Sequence, residues 1–159
     1  MAEEKNASAE VRPIPAGMVP LVKFVMRIMS RIQVWIYRVS GGKLANTFGG
    51  APVCLLTMTG RKTGKRRTLP LIYIPHGDDV LLGASQGGLD IHPVWYHNLV
   101  ANPEVEIRVG SENRPMRARR ATPEEKRQLW PALVAVYPSF DEYQARTDRD
   151  IPLLICSPR

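Results

Sequence analysis

The apolar run Pro52-Val53-Cys54-Leu55-Leu56, the basic link from Thr57 to Arg67 and the returning run Thr68-Leu69-Pro70-Leu71-Ile72-Tyr73-Ile74 constrain the fold more than any other part of the chain. Two short apolar runs joined by a glycine-bearing link predict a β-hairpin rather than a strand feeding a helix. The link carries five cations, Arg61, Lys62, Lys65, Arg66 and Arg67, and no acid. Gly60 and Gly64 can take positive φ there and turn backbone N–H groups toward an anion. A nucleoside triphosphate loop is excluded, because three residues separate the glycines, Arg66 follows Lys65, and a strand comes next. The spacing leaves two readings open: a solvated basic turn and a phosphate cradle.

The rest of the chain reads as more of the same architecture. Strand composition recurs over 52–58, 66–75, 79–84, 104–109, 114–121 and 151–156, with turns at His76-Gly77-Asp78-Asp79 and Gly110-Ser111-Glu112-Asn113. Helices are expected over Pro93 to Ala101, from a Thr122 cap to Val136, and from Ser139. Many short strands with peripheral helices predict an α+β chain built on a small, mostly antiparallel barrel. Its 159 residues suit one domain, 18–159, preceded by a polar tail, 1–17, expected to be disordered.

Met18 to Val39 predicts a helix with Lys23, Arg27 and Arg31 spaced four apart and Leu21, Val22, Val25, Ile28, Met29, Ile32, Trp35 and Ile36 opposite. Such a helix either lies on the domain's own sheet or anchors on anionic lipid. The second reading makes residues 18–39 a peripheral membrane contact, with Trp35 and Tyr37 at the interface. Those cations rule out a bilayer span, and the polar N-terminus gives no secretory signal. Cys54 and Cys156 sit in apolar runs, as buried thiols of a reducing compartment do, so the expected location is cytoplasmic, peripheral at the inner membrane face.

The net charge of +7 invites an anionic partner: a ligand, a membrane or nucleic acid. Metal binding is not expected, since His76, His92 and His97 lack ligand spacing and the cysteines are distant. No nucleophile elbow surrounds Ser85, which argues against a Ser/His/Asp hydrolase. Gly83-Ala84-Ser85-Gln86-Gly87-Gly88 ends a strand in small residues, letting backbone approach a flat ligand or simply making a tight turn. Trp95, Tyr96 and Asn98 follow on a short helix, and Tyr137, Phe140 and Tyr143 share one helical face, as packing or as a ligand wall.

Taken in order, Leu56-Thr57-Met58-Thr59-Gly60-Arg61-Lys62-Thr63-Gly64, Gly83-Ala84-Ser85-Gln86-Gly87-Gly88, Pro93-Val94-Trp95-Tyr96-His97-Asn98-Leu99-Val100-Ala101-Asn102-Pro103, Tyr137-Pro138-Ser139 and Asp148-Arg149-Asp150-Ile151-Pro152 closely resemble the deazaflavin-dependent nitroreductase family. The resemblance covers about residues 18 to 156. It implies a split β-barrel that uses the 8-hydroxy-5-deazaflavin coenzyme F420 as hydride donor. Carried over, it gives the coenzyme's phosphate and polyglutamate tail to Arg61, Lys62, Thr63, Lys65 and Arg67. The deazaflavin falls to Pro70, Ala84, Ser85, Gln86 and Gly87, supported by Trp95, Tyr96 and Asn98. Tyr137, Phe140 and Tyr143 cover the substrate side, and Ser85, Tyr137 and Tyr143 become the candidate catalytic residues. Gln86 stands where the family commonly has lysine. Phe140 replaces a tyrosine and cannot donate a proton, so quinone-like acceptors such as menaquinone are expected to be reduced better than bulky nitroimidazoles. An FMN-dependent split-barrel reductase and a non-catalytic basic lipid- or nucleic-acid-binding module are the alternatives. The preferred reading involves no nucleic acid.

Overall fold

The computed structural model describes residues 19–159, so the expected tail and Met18 lie outside the described residues. Helix α1 spans Val19–Val39, followed by β1 (Thr47–Phe48), β2 (Ala51–Thr59), β3 (Arg66–Ile72), β4 (Ile74–His76) and β5 (Asp79–Gly83). A single 3-10 turn at Gln86–Gly88 leads to α2 (Val94–Ala101), β6 (Glu104–Val109), β7 (Glu112–Arg120), α3 (Pro123–Val136), α4 (Ser139–Ala145) and β8 (Leu153–Pro158). All strand pairings are antiparallel. The path runs β1-β2-β6-β7-β8-β5-β4, with β3 paired to the other side of β2.

Because β3 and β4 are one run bent at Tyr73, this sheet curls into a barrel. The β3 half pairs with β2 and the β4 half with β5. The ladder between β4 and β5 begins at Ile74↔Leu81 and is not extended to Ile72 and Gly83. That gap splits the barrel. Local chemistry favours it: Pro70 has no N–H to offer a further neighbour, and β5 stops at Gly83 before the 3-10 turn. The strand expected over 66–75 is therefore interrupted, with the Tyr73 N–H donating to the Pro52 carbonyl at 3.1 Å. Strand β1 was not expected; it forms because Gly49 and Gly50, at φ 55° and 81°, fold Thr47 and Phe48 back onto Pro52 and Ala51.

The barrel interior is filled from alternate positions, with Cys54, Leu56 and Met58 of β2 meeting Leu82, Ile107, Met116, Leu154 and Cys156. Both thiols are free and buried, and burial pushes both up, Cys156 to about 12. Strands β5 and β8 are covered outside as well: Leu81, Leu153 and Ile155 pack against Leu133 and Phe140 of α3 and α4. On β7, buried Met116 and Ala118 alternate with exposed Arg117 and Arg119, as its pattern predicts. Helix α3 begins at the expected capping box, in which Thr122 Oγ1 accepts from the Glu125 N–H and the Glu125 carboxylate accepts from the Thr122 N–H.

Helix α1 is held with its more polar side inward. Val34 and Tyr37 pack on Leu55, and the Tyr37 hydroxyl accepts from the Gly110 N–H at 2.8 Å. Leu21, Phe24, Val25, Ile28, Ile32, Trp35 and Val39 form the opposite stripe and are 41–64% exposed. Tyr37 is therefore a core residue and not the interfacial partner of Trp35 that the sequence suggested. Among the described residues, no helix is long and apolar enough to cross a membrane.

Candidate active site

The split in the barrel opens into a mostly apolar slot of about 460 Å³. One wall is Pro70, Leu71 and Ile72 of β3; the other is Gly83 and the Ser85, Gln86 and Gly87 backbone beyond β5, with Trp95 and Pro93 at one end. Gln86 and Gly87 both take left-handed φ, 47° and 65°, which swings the chain away from β5 and leaves the slot open. A Cβ at Gly87 would meet nothing within 4 Å, so this stretch presents a flat, uncrowded edge. Ser85 lines the slot, and its side chain makes no capping bond to the 3-10 turn.

The opposite side is closed by aromatic rings. Gly83 and Gly88 set them in place, since a Cβ at Gly83 would lie 2.7 Å from the Phe140 ring and one at Gly88 would lie 2.8 Å from the Tyr143 carbonyl oxygen. Helix α4 can thus rest directly on the end of β5. Phe140 meets Tyr137 and Tyr143 edge-on at 5.5 and 6.4 Å. The Tyr137 and Tyr143 hydroxyls are 3.2 Å apart, and this bond, with burial, pushes the Tyr143 phenol up to about 12. Tyr143 therefore stays protonated at neutral pH. Phe48 of β1 and Gln33 of α1 complete the rim; sequence reasoning missed both, because only the barrel's closure brings them to β3.

Trp95 also lines a second groove of about 640 Å³ that runs between α1 and the basic hairpin. Arg27, Arg31 and Arg38 of α1 face Arg66 and Arg67 of β3 across it, above Val34, Leu69 and Val94, and no acid lines it. Of the five hairpin residues assigned to the coenzyme tail, Arg67 lines this groove. Arg61, Lys62, Thr63 and Lys65 sit on the exposed turn at its edge. The turn is fixed there by Asn98, whose Oδ1 accepts from the Arg61 N–H at 3.1 Å. Its glycines do not form an anion nest: the Gly60 N–H donates to Lys65 O and the Gly64 N–H to Gly60 O, closing the turn on itself. Gly64 has φ 66°, whereas Gly60 does not take positive φ; a Cβ there would lie 3.0 Å from Thr63 Oγ1.

Two assigned residues stand behind the slot and not in it. Ala84 is wholly buried, and Tyr96 packs against His92 and His97 with its hydroxyl accepting from Arg120 at 3.4 Å. Two of the groove arginines of α1, Arg27 and Arg31, had a legible signal in their four-residue spacing; Arg38 lies outside that series. That spacing reads equally as a lipid-facing edge until the helix is docked. Among the described residues, no group of three or more His, Cys, Asp or Glu could hold a metal ion.

The F420H(2)-dependent quinone reductase family model matches residues 29–158, which span the slot, every strand and all of the groove lining but Arg27. The chain belongs to this family. It is 38% identical over 133 residues to an F420H(2)-dependent quinone reductase of Mycobacterium tuberculosis, covering 81% of this chain and 89% of that one. A solved F420-H2 dependent reductase, FDR-A, is 40% identical with a TM-score of 0.63, covering 67% of this chain and 94% of its own. A second solved chain, described as a domain-swapped dimer, is 32% identical with a TM-score of 0.65, covering 89% and 100%.

The deazaflavin resemblance and the split-barrel fold are thus borne out, and the chain is an oxidoreductase whose cofactor is coenzyme F420. Its residues fit that group. A flat apolar slot suits the ring system, and an arginine-lined groove joined to it at Trp95 suits an anionic tail.

Proposed function

We propose that the chain reduces a membrane quinone of the menaquinone type, with the coenzyme's ring in the slot beside Ser85, Gln86 and Gly87 and its tail across Arg67, Arg66, Arg31 and Arg27. The observation that carries this reading is the junction at Trp95 between one apolar cavity and one groove lined by five arginines, of which Arg66 also pairs with Glu106 at 2.9 Å. When bound, the reduced deazaflavin supplies the hydride. The protein's part is orientation, exclusion of water and proton supply. Pro70 and the Ser85–Gly87 edge sandwich the ring; Phe140, Tyr137 and Tyr143 cover the acceptor side and keep water out. The Ser85 hydroxyl and the paired Tyr137 and Tyr143 hydroxyls are the donors at hand for the product oxygen.

An apolar acceptor also needs a route to the slot. The outward stripe of α1 supplies a surface for it: apolar side chains from Leu21 to Val39 on one face, with the groove arginines beside them, match an anionic bilayer surface. Gln33 and Phe48 lie where that helix meets the slot. Phe140 contributes no hydroxyl, which favours a quinone, protonated readily by small donors, over a bulky nitroimidazole. The decisive measurement mixes purified protein, reduced F420 and a menaquinone analogue and follows coenzyme reoxidation. Rapid turnover with the quinone and slow turnover with nitroimidazoles is expected. No reoxidation by any quinone, or faster reduction of nitroimidazoles, would sink the proposal.

A further inference from the structure

The Ser85–Gly88 edge has an unusual problem of support. The β5–β8 ladder ends at Gly83↔Leu153, with one further bond from the Ala84 N–H to Pro152 O, yet the next residues run through three consecutive left-handed conformations at Gln86, Gly87 and Gly88. Left-handed geometry at Gln86 carries a steric cost that surrounding contacts must hold in place. The carbonyls of Ala84, Ser85 and Leu89 lie beyond the ladder; Ser85 O accepts from the Gly88 N–H at 3.0 Å, and all three can take further donors.

One side chain supplies them. Arg149 donates through Nε to Leu89 O at 2.7 Å and through Nη2 to Ser85 O at 2.7 Å and Ala84 O at 3.2 Å; its Nη1 lies 3.0 Å from His92 Nδ1. Arg149 is itself braced: Gln144 Nε2 donates to its carbonyl, and its N–H donates to Thr147 Oγ1, which donates to Asp90. A single guanidinium thereby ties the connection between α4 and β8 to both ends of the 84–89 loop and to the approach to α2. Only a planar fork has enough donors in fixed directions for this.

We propose that Arg149 is a positioning residue that fixes the coenzyme-facing edge of the slot, and that neutral His92 is the acceptor completing its grip. The coenzyme part rests on the slot being the ring's seat, as proposed above. His92 must present a lone pair to Arg149, so a proton on Nδ1 removes the bond and sets two cations face to face. Burial, then Arg149, His97 and Arg120, hold the His92 imidazolium below its usual range, opposed by Asp150. The edge is accordingly firm at neutral pH and loosens as pH falls through that lowered range.

The test begins without coenzyme, by amide hydrogen exchange at residues 85–89 in the wild type, Arg149→Met, Arg149→Lys and His92→Asn. Exchange there should speed up in Arg149→Met at every pH and be only partly restored by Lys. Measured as protection relative to the intrinsic exchange rate at each pH, the wild-type edge should lose protection as pH falls through the lowered His92 range, while His92→Asn should lose that acid response. Wild-type exchange in Arg149→Met, or an acid response that survives in His92→Asn, overturns the proposal. If Arg149→Met fails to fold, the Lys and Asn variants decide by the same criteria. Equilibrium binding of F420 by fluorescence follows: Kd should rise about tenfold in Arg149→Met, the factor one charge-assisted bond can carry. Faster exchange with an unchanged Kd would instead mean that the clip exists and the ring sits elsewhere.

Discussion

The contact between Gly83 and Phe140 gives the sharpest test of how the slot is built. A methyl group at position 83 would stand 2.7 Å from Phe140 Cε1 and 3.2 Å from Cζ, about 0.7 Å short of ordinary contact at the nearer atom. Neither side can yield easily, because Phe140 is 3% exposed and packed by Trp130, Tyr137 and Tyr143, while β5 is paired on one edge to β8. Gly83→Ala should cost about 1–3 kcal/mol by overpacking, and the ring should swing toward the slot it lines. Two readouts follow: a lower denaturation midpoint and a raised KM for the acceptor. Phe140→Leu should relieve the strain, so the double mutant should be more stable than the two single losses predict, with a coupling of at least about 1 kcal/mol. Additive losses, or an Ala variant with wild-type stability and acceptor KM, would refute the claim that Gly83 exists to seat this ring.

Other perturbations separate the remaining parts. Arg31→Gln and Arg67→Gln should each weaken F420 binding about two- to fivefold and flatten its salt dependence, the scale of one exposed charge; Lys62→Gln on the outer turn should do less, and equal effects would return the tail to the turn. Phe140→Tyr should raise nitroimidazole reduction relative to quinone reduction, measured as the ratio of kcat/KM values. The Tyr143 phenol is raised from 10 to about 12, so its contribution to stability is complete below pH 10 and lost as pH climbs from 10 toward 12; denaturation of Tyr143→Phe should lack that alkaline slope. Glu125 is lowered to about 2 by Arg119 and the Thr122 N–H, so its contribution is present above pH 4.5 and lost as pH falls toward 2, and Glu125→Gln should remove that acid dependence.

Most of the scaffold was legible because its signals are local. The capping box at Thr122, the alternation on β7 and the small residues closing β5 each act within a few positions, and each appears where the sequence puts it. The hairpin was legible too, but its chemistry was only partly so. Gly60 and Gly64 fit an anion nest by spacing, yet their N–H groups are consumed in closing the turn. Which cations face a ligand is decided by long-range closure: β3 must bend at Tyr73 to reach both β2 and β5 before Arg66 and Arg67 come to lie across from α1. Arg149 was visible only as part of a motif, since its partners Ala84 and His92 lie 65 and 57 positions away.

Helix α1 shows why amphipathic pattern alone misassigns a face. The usual inference is that the apolar stripe points to the core. Here the barrel is already complete without it, its interior filled by Leu56, Ile107, Met116 and Leu154, so the helix docks through Val34 and Tyr37 on Leu55 and leaves the stripe outside. A stripe unclaimed by the protein's own core must be accounted for by something else. Its position matters, because the arginines of the same helix line the cationic groove while Gln33 lines the slot. One helix therefore meets the tail, the acceptor and the outside surface through three of its faces. On this reading, Ile28→Glu with Ile32→Glu should abolish sedimentation with anionic vesicles and slow reduction of vesicle-borne menaquinone. Turnover of a short-chain soluble quinone should be unaltered, since neither residue lines the slot or the groove. If both quinones slow equally, the stripe stabilises the fold and the membrane reading of α1 is wrong.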